Sequence, residues 1–124
     1  MIGARFARVL FIASALGEVA VGLAGLAWPA LLGVLLDIEL DRGGLVVARM
    51  LAAAALAIGA TWWFERRQAD ALPRNAAGFL IYNFAIGALF VAQGLAAVRP
   101  ALPTVLGLVH VGAAIAFLVL VPRR

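Results

Sequence analysis

Cysteine is missing from this chain of 124 residues, lysine is missing from its ten basic positions, and histidine occurs once. The first absence excludes disulfides, thiolate zinc sites, iron–sulfur clusters and cysteine nucleophiles. Hydroxyls are nearly as scarce. Ser14, Thr61, Thr104 and Tyr82 are the whole set, and none stands at helical spacing from a histidine that would activate it. No glycine-rich phosphate loop follows a strand. His110 alone offers too few ligands for a metal or haem, unless a symmetric dimer supplied a second ring. The expectation is a chain without catalytic residues, resident metal or cofactor.

Charge is the other shortage. Charged residues make up 13% of the chain and hydrophobic ones 66%, with a mean hydropathy of +1.11. A soluble domain is about half apolar and about a quarter charged, so this composition excludes a water-facing globule and places the chain in a bilayer. A span takes about 20 residues, so the chain is filled by four spans with short connections. The net charge of +4 and pI of about 11.4 do not point to nucleic acid. The arginines flank apolar segments instead of forming one patch, which is how topology signals and contacts with anionic lipid are distributed.

Apolar runs predict spans at about 9–28, 44–64, 76–98 and 101–121, within one transmembrane domain covering 1–124. Pro29 closes the first, Pro100 and Pro103 suit the start of the fourth, and Pro122 suits its end. A cleaved signal peptide is the rival for the first run, but Glu18 interrupts it and the stretch to Ala27 is too long. Trp28 is expected at one interface, and Trp62, Trp63 and Phe64 at the other. Arg5, Arg8, Arg66, Arg67, Arg74, Arg123 and Arg124 fall on one side, against Arg42 and Arg99 on the other, which places both termini in the cytoplasm. The connection from Pro29 to Gly43 carries Asp37, Glu39 and Asp41. Its leucines are compatible with a short interfacial helix or with an extension of the first span. The fold class is all-α, an integral membrane four-helix bundle.

Small residues let helices approach closely in lipid. Gly17, Ala20, Gly22, Ala24 and Gly25 do so in the first span, and Ala52 to Ala55, Gly59 and Ala60 in the second. Gly107, His110 and Ala114 form a stripe in the fourth.

An ionisable group inside a span is costly and marks a candidate site. Glu18, Arg49 and His110 are the three, and rise arithmetic puts them in one outer layer at roughly 15, 7 and 13 Å depth, with Gln93 at about 8 Å. The expected arrangement is a Glu18–Arg49 ion pair, with His110 adjacent and Gln93 bridging. Tyr82 shares a face with Gln93, and Asn83 lies nearer the cytoplasm. Two functions compete for this cluster. It fixes helix register in a scaffold or accessory subunit, or Glu18 and His110 exchange a proton with a small cationic or polar ligand.

The segments Ala-Arg-Met-Leu-Ala-Ala-Ala-Ala-Leu-Ala-Ile-Gly-Ala-Thr-Trp-Trp (48–63), Ile-Tyr-Asn (81–83) and Gly-Leu-Val-His-Val-Gly (107–112) resemble small four-span bacterial inner-membrane proteins of the DoxX-like kind. That resemblance implies a bacterial inner-membrane location and no defined activity. Gly17-Glu18-Val19, in a chain of this length, is similar to the small multidrug resistance exporters, in which a glutamate of the first helix exchanges protons for a lipophilic cation across a dimer. That likeness carries over Glu18 alone. Arg49, His110 and the strong arginine bias depart from the exporters' pattern. The primary expectation is an inner-membrane scaffold or accessory subunit, alone, as a homodimer or in a larger membrane complex. The alternative is a proton-coupled transporter of a small molecule or lipophilic cation using Glu18.

Overall fold

The structure is a computed structural model that describes residues 2–65 and 76–120. Arg66, Arg67, Arg74, Val121, Pro122, Arg123 and Arg124 lie outside the described residues. The described chain is all-helical, in the order α1 (Ile2–Ala27), α2 (Ala30–Leu36), α3 (Arg42–Glu65), α4 (Ala76–Ala96) and α5 (Ala101–Leu120). All but α2 are long and apolar enough to cross a membrane, which makes the chain a multi-pass membrane protein. Apolar side chains such as Val9, Leu23, Leu51, Ile81, Leu89 and Val119 point away from the bundle, as they do when lipid is the solvent.

Packing follows the small residues. The buried positions of α1 are Phe11, Ala15, Glu18, Gly22 and Gly25, and those of α3 are Ala48, Ala52, Ala55, Gly59 and Trp62, both repeating at alternate spacings of four and three. That spacing keeps one seam of each helix facing its partner. α1 and α3 consequently form one close antiparallel hairpin, and α4 and α5 form a second. In the second, a methyl group on Gly87 would lie 3.0 Å from the Gly107 carbonyl oxygen, and one on Gly107 would lie 2.8 Å from that of Gly87. The backbones touch where neither helix has a side chain.

The two hairpins meet through α1 and α5, and through aromatic rings near the end that carries the free ends of α1 and α5. Phe11, Trp62, Phe79 and Phe117 supply one buried ring from each span, and Phe79 touches the other three at centroid distances of 5.5, 4.9 and 4.8 Å. Trp62 therefore belongs to the core and not to an interfacial belt. It continues the seam of Ala55 and Gly59, whereas Phe64 and Trp28 are exposed.

At the opposite end the chain turns through α2, which touches all four spans. Pro29 precedes it, and Asp37 ends it in a left-handed conformation (φ 55°), with its N–H bonded back to α2 carbonyls. Asp41 Oδ1 then accepts the Gly44 N–H at 2.7 Å and caps α3. Asp41→Ala is expected to lower stability by about 1 kcal/mol, read as an earlier midpoint in SDS-induced unfolding. Asp41→Asn should restore most of it.

Candidate functional site

Glu18 is the one buried acid among the described residues, at 8% exposure. Its direction is set by α3. A methyl on Gly59 would lie 2.7 Å from the Ala15 carbonyl oxygen and 2.9 Å from Glu18 Cβ, so the α3 backbone closes off that side. The carboxylate extends towards the second hairpin instead. There the Tyr82 hydroxyl of α4 donates to Oε2 at 2.6 Å, and His110 Nε2 of α5 faces Oε1 at 3.5 Å. Tyr82 stands edge-on to Trp62, and His110 edge-on to Phe90, so packed rings hold both partners.

The bonds fix a proton count. His110 Nδ1 lies 2.8 Å from the Leu106 carbonyl oxygen. A carbonyl only accepts, so Nδ1 carries hydrogen and a neutral ring leaves Nε2 bare. A bare nitrogen facing a bare carboxylate oxygen would set two acceptors against each other. One proton between them resolves the conflict, giving either imidazolium with carboxylate or imidazole with carboxylic acid. In either form the pair has no net charge, as a low-dielectric interior requires. Tyr82→Phe removes the bond to the other oxygen. The expected loss is about 1 to 3 kcal/mol in SDS-induced unfolding, with the helical content unchanged.

The remaining candidates separate from this cluster. Arg49 is exposed and makes no ion pair with Glu18; the acid's ionic partner is His110. The expected depth places Arg49 near the outer layer, but its direction around α3 is set by Ala48 and Ala52, which are buried on either side and turn Arg49 outward. Gln93 does not bridge the cluster either. Its amide donates to the Leu36 carbonyl oxygen at 3.1 Å and ties α4 to α2. Asn83 is buried and donates to the Phe79 carbonyl oxygen one turn earlier, at 2.9 Å.

Two contacts had no sequence expectation. Tyr82, a candidate because it shares a face with Gln93, is the partner of Glu18 instead, 64 positions away. The Arg99 N–H donates to Asp37 Oδ2 at 2.9 Å, 62 positions away, closing the second hairpin onto the end of α2. An open groove of about 400 Å³ lies beside that link, with Asp37, Glu39 and Arg99 among its lining residues. Among the described residues, no three histidine, aspartate or glutamate side chains converge on a metal-sized space.

No family model, curated protein or solved structure matches the chain.

Proposed function

We propose that the protein is a small scaffold or accessory subunit of the bacterial inner membrane, with both termini cytoplasmic and Glu18 as the clasp between its two hairpins. One observation carries this reading: both carboxylate oxygens of Glu18 are engaged by the opposite hairpin, one by each of its helices. A group satisfied on both sides in this way fixes register, and a polar bond between spans is specific because lipid offers no substitute partner. The aromatic cluster of Phe11, Trp62, Phe79 and Phe117 packs directly below. Glu18 follows Phe11 by two turns, about 10 Å along the helix, so that dense layer separates the acid from the end carrying the termini.

The proton held between Glu18 and His110 favours a second reading, a proton-coupled carrier in which Glu18 releases Tyr82 and His110 to take a cationic substrate. Reconstituted liposomes enclosing a pH-sensitive dye separate the two. With the scaffold, an imposed pH gradient decays at the rate of empty liposomes, and Glu18→Gln changes nothing. Gradient decay that Glu18→Gln abolishes, in a variant that still folds, would replace the scaffold by the carrier.

A further inference from the structure

We propose that Arg42 and Arg49 form a clamp for the phosphate of an anionic phospholipid on the exposed face of α3. The two residues are seven positions apart, two helical turns, and so lie on one stripe of the helix. Val46 lies between them on that stripe and is 56% exposed. Neither guanidinium has a hydrogen bond or ion pair among the described residues, and both are exposed. The nearest acid in sequence, Asp41, has one oxygen engaged by the Gly44 N–H.

Rotation cannot hide Arg49. Ala48 and Ala52 are pressed against α1, and a methyl on Gly25 would lie 2.8 Å from Ala52 Cβ. Turning α3 to bring Arg49 inward would remove both alanines from that seam. The charge is thus held on the outside of a span, about 10 Å from the first residue of α3. Side chains on a helix lean towards its N-terminus, which for α3 is the end beside α2. Arg49 therefore reaches up the helix, towards Arg42 and the headgroup layer, and its stem covers apolar surface.

The surroundings favour a lipid over a carboxylate of another protein. Val46, three positions before Arg49, and Ala53, four after it, are its exposed apolar neighbours on the helix surface. A planar guanidinium fork matches the oxygens of a phosphodiester. Two such groups bracketing Val46 supply a double positive charge at the end of α3 that adjoins α2.

The full-length protein, placed in bilayers of equal parts phosphatidylcholine and phosphatidylglycerol, is extracted gently and its retained lipids are counted by native mass spectrometry. The clamp predicts preferential retention of phosphatidylglycerol. Arg49→Gln should reduce that preference by roughly tenfold, the scale of one lost charge-assisted contact, and Arg42→Gln by less. Arg5→Gln, at the other end of the bundle, should leave it intact. Arg49→Lys keeps the charge on a similar stem and should retain a part of the preference, so the proposal stays testable if the glutamine variant does not fold. Equal lipid retention by the wild type and Arg49→Gln overturns the proposal. So does displacement of the lipid by inorganic phosphate alone, which would make this a free-phosphate site. Loss of a stoichiometric protein partner with unchanged lipid binding would reassign Arg49 to a protein interface.

Discussion

With Glu18 replaced by Gln, the bundle is expected to keep its clasp, whereas loss of His110 should open it. The amide oxygen accepts the Tyr82 hydroxyl as Oε2 does now, and the amide NH₂ donates to the bare Nε2 of His110. Every bond of the cluster is then satisfied without a charge. His110→Leu, by contrast, leaves Glu18 Oε1 without its partner. Removing one member of a buried pair costs about 3 kcal/mol, more than a hundredfold in the unfolded fraction. Tryptophan fluorescence, to which Trp62 beside Tyr82 contributes, can follow SDS-induced unfolding of the three proteins. Equal midpoints for the wild type and His110→Leu would show that the contact with His110 does not hold the bundle.

The second large effect is expected at Gly59. Alanine there would put Cβ 2.7 Å from the Ala15 carbonyl oxygen and 2.8 Å from the Val19 nitrogen. Both are backbone atoms, so α1 and α3 must separate. Overpacking of this kind costs typically 1 to 3 kcal/mol. The same methyl crowds Glu18 Cβ, so Gly59→Ala should also shift the clasp. Gly17→Ala is the matched control, because nothing lies within 4 Å of the added methyl. It should be neutral or slightly stabilising through helix propensity alone. Equal effects at the two glycines would mean that the α1–α3 seam is not where the hairpin is held.

These two substitutions also mark how far the sequence could be read. Long apolar runs are sufficient to place four helices, because a bilayer leaves the backbone few alternatives. Depth was legible as well: rise along the helix put Glu18 and His110 in one layer, and they meet. Direction around the helix is carried by spacing: Ala48, Ala52, Ala55 and Gly59 mark the seam of α3, and Arg49 lies off it. A long basic side chain can reach the headgroups from a lipid-facing position, so an ionisable residue in a span need not face inward. Tyr82 was harder to find. Nothing local in an apolar helix shows which distant acid its hydroxyl will meet, since that depends on how the second hairpin docks on the first.

The separation between Glu18 and its partners also bears on how the chain is made. A ribosome releases α1 long before α4 and α5, and Tyr82 follows Glu18 by 64 residues. The first hairpin can close its glycine seam while its acid still has neither partner. The clasp closes only when the second hairpin docks on the first and brings Tyr82 and His110 to Glu18.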